Sequence, residues 1–117
     1  MTARRAQAPP SPSEADAVIA EMVRRLVERF HPLRILLFGS RARGGADPWS
    51  DVDLLVVVQE AKNPRALAVQ MRRALADMPL PKDVLVATPE DVARRRNVIG
   101  DVLRPALAEG RVLYEAG

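Results

Sequence analysis

The sequence of 117 residues has no cysteine, a single histidine, and aromatic residues at only 3% of its positions. The absence of cysteine excludes disulfide bonds, thiolate zinc sites and a cysteine nucleophile, so packing alone must hold the fold together. The shortage of aromatic side chains argues against a protein that stacks single-stranded nucleic acid on aromatic platforms. The one histidine, His31, precedes a proline and is better explained as a structural residue than as a catalytic base.

Long apolar runs are also missing, since no stretch approaches the roughly 18 residues that a membrane-spanning helix needs. Residues 1–13 contain three prolines and lack the apolar core of a secretory signal. We therefore expect a flexible leader over residues 1–13, one domain over residues 14–117, a cytoplasmic location and no membrane association. A domain of this size cannot easily build a deep cleft, so an enzyme of this kind should borrow a surface for its second substrate.

Charges of both signs are abundant, with 18 Lys and Arg against 15 Asp and Glu, which gives a formal net charge of +3. So small an excess permits contact with nucleic acid but does not imply it. Together with the scarcity of aromatic residues, it leads us to expect no direct nucleic-acid binding.

Hydrophobic periodicity predicts helices and strands in an order typical of an α/β or α+β domain, with one small mixed sheet covered by helices. Ser13, with Asp16, is expected to cap a first helix that ends at His31. The other predicted elements are strands over Arg34–Phe38, Val52–Val58, Lys82–Ala87 and Arg111–Glu115, and helices over Arg65–Met78, from Pro89 with Thr88 as its cap, and over Val98–Glu109.

Two carboxylates stand at the entrance to the second strand, in the segment Ser50-Asp51-Val52-Asp53. Residues two apart in a strand point to the same face, so Asp51 and Asp53 should project together. Neighbouring carboxylates raise each other's pKa unless a cation neutralises them, and magnesium prefers oxygen ligands of this kind. The pair therefore predicts a magnesium site. The alternative is that Asp51 caps a turn after Ser50 while Asp53 faces solvent.

The segment after the first strand, Gly39-Ser40-Arg41-Ala42-Arg43-Gly44, has the composition of a phosphate-binding turn. Glycine at position 39 allows a phosphate to approach the backbone, the Ser40 hydroxyl adds a donor, and the start of a helix favours negative charge. Arg41 and Arg43 add positive charge nearby. The alternative is an ordinary strand-to-helix turn with two exposed arginines. Combined with an acid pair on an adjacent strand, the turn predicts a site for a nucleoside triphosphate.

A third acid, Asp83, interrupts the apolar character of the next predicted strand near its start. If that strand lies beside the one that carries Asp53, Asp83 could bind a second magnesium ion and accept the proton of an attacking hydroxyl. The alternative is a solvated acid next to Lys82. Asp47 is better explained as a turn residue.

Residues 39–58, GSRARGGADPWSDVDLLVVV, resemble the signature of the DNA polymerase β-like nucleotidyltransferase superfamily. The resemblance joins a Gly-Ser turn to Ser-Asp-x-Asp-Leu, places Asp83 at the position of the family's third acid, and extends over residues 15–115. Small size and a helix-first layout resemble the minimal nucleotidyltransferases, which are often paired with HEPN-domain toxins. Members of that group are antitoxins, and some attach AMP to a tyrosine of the partner toxin. Lys82 departs from the pattern, since an apolar residue is common there.

The resemblance implies the polymerase β-like fold, ATP as a substrate, magnesium, and catalytic and metal-binding roles for Asp51, Asp53 and Asp83. The residues that it and the local charge indicate for nucleotide binding are Gly39, Ser40, Arg41, Arg43 and Ser50.

The intact motif favours an active enzyme that transfers AMP from ATP to a hydroxyl of a HEPN-type toxin. The competing hypothesis is an antitoxin without catalysis, which neutralises its partner by occlusion. Modification of an antibiotic is less well supported, because no second domain is available to hold the acceptor. Homo-oligomerisation stays open. So do the roles of Trp49, which could contact a base, a partner or its own domain, and of the basic run Arg94–Arg96, which could be a solvated face or a partner contact.

Overall fold

The computed structural model describes residues 10–44, 47–98, 100–101 and 103–117. Residues 1–9 of the predicted leader lie outside this description. None of the described helices is long and apolar enough to cross a bilayer. The elements in chain order are α1 (Pro12–Phe30), β1 (Arg34–Phe38), α2 (Ser40–Arg43), β2 (Val52–Val57), α3 (Pro64–Ala74), β3 (Lys82–Ala87), α4 (Pro89–Arg95), α5 (Leu103–Glu109) and β4 (Arg111–Glu115).

The described strands form one mixed sheet in the order β3-β2-β1-β4. β1 pairs antiparallel with β2 on one side and with β4 on the other, whereas β2 and β3 run parallel. The parallel pair needs a crossover connection, and α3 supplies it. The predicted small mixed sheet covered by helices is therefore confirmed, and β3 and β4 form its two edges.

Alternation along the strands sends the buried side chains to two separate layers. On one face α1 and α3 cover the sheet, and Met22 and Met71 are fully buried against strand residues such as Leu37. On the other face α5 packs Leu103 against Leu55. Full burial of a side chain of this size contributes roughly 1.5–3 kcal/mol. The two layers together fix β1 and β2, the strands that lead into the candidate site.

The first helix begins earlier than the sequence indicated. The Ser11 hydroxyl accepts the N–H of Glu14, whose carboxylate accepts the N–H of Ser11, and Pro12 occupies the first helical position. The predicted cap at Ser13 is wrong, because this reciprocal capping box satisfies the helix end two residues earlier. His31 ends the helix in the left-handed conformation at φ 51°, in agreement with a structural role.

The third helix ends at Ala74, four residues before the predicted end at Met78. The chain leaves the helix through tight turn bonds, including one from the N–H of Met78 to the carbonyl of Leu75. Pro79 disfavours helical dihedrals for the residue before it, so the helix cannot continue through this point. Leu75 and Met78 are nevertheless buried, as their apolar spacing indicated.

The last helix begins at Leu103 and not near Val98. The Asp101 carboxylate accepts the N–H of Leu103 at 2.9 Å and two hydrogen bonds from Arg95 at 2.8 and 3.0 Å. A carboxylate in this position caps a helix start, so the helix begins after Asp101. The pKa of Asp101 is lowered, first by the Arg95 hydrogen bonds. The bounds of β1, β3 and β4 agree with the prediction.

Candidate active site

The turn between β1 and α2 brings the backbone of Gly39 against the side chain of Asp53. Gly39 has φ 77° and ψ −160°, a conformation that residues with a side chain rarely adopt. A Cβ atom at this position would overlap Oδ2 of Asp53 and lie 3.3 Å from its Cγ. Glycine is therefore required here for two reasons, and the structure places the turn and the acid pair side by side.

All three acids lie where β2 and β3 begin. Asp53 faces Asp83 directly across the parallel pair, so their side chains share one face of the sheet, and Asp51 stands two residues before Asp53. The pKa of Asp53 is raised above its ordinary value, first by partial burial and then by the charges of Asp51 and Asp83. Negative charge at Asp53 is thus disfavoured from two sides in the absence of a cation.

Asp83 also has a basic partner on α3. Its Oδ1 accepts a hydrogen bond from Nη1 of Arg72 at 3.3 Å and one from the N–H of Val84 at 2.9 Å. The Arg72 and Asp83 side chains are 45% and 54% exposed, and an ion pair so exposed contributes about 0–1 kcal/mol. Over the part of the chain that the structure describes, no three acidic or histidine side chains converge closely enough to form a metal site as they stand.

The two arginines of α2 contact other protein groups. Arg41 donates from Nε to the Ser50 carbonyl at 2.9 Å and from Nη2 to the Pro48 carbonyl at 2.8 Å. Arg43 forms an exposed ion pair with Glu109 at 3.0 Å. Sequence reasoning offered both arginines for phosphate binding and missed these contacts. Their role towards a nucleotide stays a prediction.

The loop before β2 is held by hydrogen bonds from Arg41 and by hydrogen bonds to Asp47. Besides the Arg41 contacts, Oδ1 of Asp47 accepts the N–H of Trp49 at 2.8 Å, and its carbonyl accepts the N–H of Ser50 at 3.1 Å. Asp47 is thus a turn residue, as expected. Trp49 is 41% exposed on this braced loop, two residues before Asp51. The proline and aspartate of the loop signalled a turn, but nothing in the sequence indicated that Arg41 would hold it.

The donor groups at this site suit a hard cation and a polyphosphate. Asp51 is exposed and Asp53 is half-buried, so both offer carboxylate oxygens, and a divalent cation between them would relieve their repulsion. In α2 the N–H groups of Ala42 and Arg43 both bond to the Gly39 carbonyl. The N–H groups of Ser40 and of the residue after it begin the helix, have no acceptor within it, and can bind an anion beside Gly39.

Comparison with known proteins points to one family. A family model described as "Nucleotidyltransferase domain" matches residues 19–108, which include the Gly39 turn, the acid pair and Asp83. A comparison with curated proteins finds no match.

Several solved structures share the fold. A protein from Sulfolobus solfataricus assigned as a nucleotidyltransferase superposes with a TM-score of 0.59 at 21% identity, covering 85% of this chain and 78% of that one. A mutant of the MntA-HpeT toxin-antitoxin superposes with a TM-score of 0.51 at 21% identity, covering 82% and 71%. A toxin-antitoxin crystallised with AMP-PNP gives a TM-score of 0.52 at 22% identity, covering 83% and 73%.

Identities this low show likeness of fold alone, and they confirm the expected polymerase β-like arrangement of sheet and helices. Family membership rests on the sequence model, whose match covers well over half of the chain. The chain belongs to the nucleotidyltransferase domain family.

Proposed function

We propose that this protein is a magnesium-dependent adenylyltransferase that moves AMP from ATP to a hydroxyl of a partner protein. The partner that we propose is a HEPN-type toxin, which makes this chain an antitoxin. One observation carries the proposal: Asp53 faces Asp83 across the strand pair, stands two residues after Asp51, and lies against the backbone of Gly39. Carboxylates that repel each other beside a glycine turn are explained by a cation bound together with a phosphate chain.

In this proposal Asp51, Asp53 and Asp83 hold the magnesium ions, and Gly39 and Ser40 contact the phosphates of ATP. Bound magnesium would neutralise the charge of the phosphates as pyrophosphate departs. Arg41, through its two carbonyl contacts, keeps the loop with Ser50 in place beside them.

The reaction is an in-line displacement at phosphorus. The acceptor hydroxyl oxygen forms a bond to the α-phosphorus of ATP, and the bond from that phosphorus to the pyrophosphate oxygen breaks. The hydroxyl proton passes to Asp83, which lies one strand from Asp53 at the sheet edge. AMP remains on the acceptor and pyrophosphate leaves.

The comparisons support a protein acceptor and ATP. Two of the similar structures are toxin-antitoxin complexes, and one of these contains AMP-PNP, an ATP analogue. This chain has the same fold as both.

Transfer of radiolabel from α-labelled ATP to the protein encoded by the adjacent gene tests the proposal. Wild-type protein with magnesium should label that partner, and Asp51→Asn and Asp53→Asn should not. Asp47→Asn is the matched control, because it removes one carboxylate from the same loop while an amide oxygen can still accept the Trp49 N–H. Labelling that survives both Asp51→Asn and Asp53→Asn would overturn the proposed site.

Neutralisation by occlusion is the second candidate function, and the Arg72 contact of Asp83 favours it, since that acid already has a partner. The two functions differ in one measurement. If occlusion suffices, Asp51→Asn neutralises a co-expressed toxin as well as wild type does. If AMP transfer is required, growth of cells that carry the variant and the toxin is lost.

A further inference from the structure

A groove runs along the outer edge of β3, beside the proposed base. It has a volume of about 600 Å³ and lies between α3 on one side and α4 and α5 on the other. Val69, Leu85 and Leu103 give it an apolar lining, and Asp83 is one of the residues that line it. We call it the β3-edge groove. Its position means that an occupant would lie next to the carboxylate proposed to take the acceptor proton.

Strand β3 is at the edge of the sheet. Among the described strands it pairs with β2 alone, so the backbone groups on its outer side face the groove and pair with no other strand. The carbonyls of Pro81 and Ala87 accept the N–H groups of Val52 and Val58, so these positions of β3 point towards β2. Backbone groups alternate in direction along a strand. Lys82, Val84 and Val86 therefore direct theirs to the groove. The N–H of Val84 is bonded to Oδ1 of Asp83, so an extended peptide could pair with the Val84 carbonyl and with the backbone groups of Lys82 and Val86.

Charge selects the kind of peptide that fits. Three arginines line the groove, Arg65, Arg72 and Arg95, against the single acid Asp83. Arg72 pairs weakly with Asp83, and Arg95 is bonded to Asp101. Arg65 is exposed, and within the described part of the chain no acid lies within ion-pairing distance of it. It also stands in the first turn of α3, which contains no acid and where a positive charge is unfavourable to the helix. An acidic ligand would compensate that charge.

We propose that the β3-edge groove binds an extended, acidic segment of the acceptor protein as an added strand on β3, with the acceptor hydroxyl next to Asp83. This inference rests on the proposed function for the identity of the acceptor, but binding can be measured without catalysis. Main-chain pairing gives such a segment its affinity, and the arginines give its charge preference.

The probe is a fluorescein-labelled heptapeptide, Glu-Val-Glu-Tyr-Glu-Val-Glu, titrated with the full chain in the absence of ATP and magnesium. Fluorescence anisotropy should show tighter binding than for the counterpart with Lys in place of each Glu. Arg65→Glu should weaken binding of the acidic peptide about tenfold, the change that 1.4 kcal/mol produces, and strengthen binding of the basic one. Arg73→Glu, on the same helix and away from the groove, should leave both affinities within about twofold of wild type.

Two further peptides test the added strand, one with N-methyl groups on its odd-numbered amides and one on its even-numbered amides. Only one set of amides can face β3, so one set of methyl groups should abolish binding and the other should not. Equal effects of the two sets, equal binding of acidic and basic peptides, or displacement of the peptide by an oligouridylate of the same charge would overturn the inference. A chain that binds the acidic peptide as described but never transfers AMP contradicts only the proposed function.

Discussion

Replacing Asp53 by asparagine should make the metal-free protein more stable, even though it removes the acid at the centre of the proposed site. Asp53 is half-buried, and its pKa is raised first by that burial and then by Asp51 and Asp83. Ionisation of Asp53 therefore costs free energy in the folded state that it does not cost in the unfolded chain. Asparagine has nearly the same shape and no charge.

The size of the effect follows from the spacing of the strands. Neighbouring strands lie about 4.8 Å apart, and two like charges at about 5 Å repel by roughly 1 kcal/mol in a medium like water. Two acidic neighbours, screened by salt at this partly exposed site, then give a gain of about 1–2 kcal/mol for Asp53→Asn. For a chain of 117 residues the entropy of unfolding is about 0.25 kcal/mol per degree, so the Tm should rise by about 4–8 °C.

The pH dependence has a definite sign. Because the folded pKa of Asp53 is raised above 3.8, the repulsion is present at pH 7 and disappears as the pH falls through that folded value. The Tm difference between Asp53→Asn and wild type should therefore shrink as the pH is lowered from 7 towards 4. Contributions from acids that do not interact with Asp53 are common to both proteins and cancel in the difference, so the change reports the repulsion among Asp51, Asp53 and Asp83.

Magnesium should reverse the order of the two proteins. At a concentration a hundredfold above its Kd, a ligand that binds only the folded state adds about 2.7 kcal/mol, which exceeds the gain of about 1–2 kcal/mol from Asp53→Asn, and only wild type should gain it. Asp47→Asn should have the same Tm as wild type both without and with magnesium, because Asp47 is exposed and is not one of the charges that act on Asp53. If Asp53→Asn lowers the Tm of the metal-free protein at pH 7, the claim that these acids crowd each other is refuted.

Three further predictions concern the groups around the acids. Gly39→Ala should abolish AMP transfer and lower the free energy of unfolding by about 1–3 kcal/mol in urea titrations, whereas Gly44→Ala, at φ 83° with open space around it, should retain transfer. Arg41→Ala should loosen the loop it braces and raise the KM for ATP, and limited proteolysis should cut that loop faster than in wild type. Arg72→Gln should lower the magnesium concentration needed for half-maximal transfer, because it frees Asp83 from a competing cation at a cost of at most about 1 kcal/mol.

The strands could be predicted from the sequence because continuous apolar runs ending at glycine, proline or charge define them. β1 and β3 have the predicted bounds. Helix ends were harder to predict from the sequence, because they depend on which of several polar residues caps the helix. Ser11 and Ser13 are both suitable caps with an acid three residues later, and only Ser11 is followed by a proline, which suits the first helical position.

At the candidate site, the acids and the glycine turn could be read from residue types and spacing, because the period of two along a strand fixes which side chains project together. The contact of Arg72 with Asp83 could not be predicted, because it depends on how α3 packs across the sheet edge. The bond from Arg41 to the Ser50 carbonyl likewise depends on the conformation of the loop between them. No pattern in the local sequence indicates a contact of this kind.

The order of the strands arranges the proposed chemistry across the sheet. Phe38, Asp53 and Asp83 lie in one row of the register, with the Gly39 turn beside the first and the β3-edge groove beside the last. On the same face Leu55 is fully buried, where an unpaired carboxylate would cost several kcal/mol, so the acids are confined to the open ends of their strands. In the proposed function, phosphate, metal and base would then follow one another from β1 to β3. In the proposed complex the nucleotide would lie on the side of β1 and β2, so we expect the acceptor to reach Asp83 from the outer side of β3.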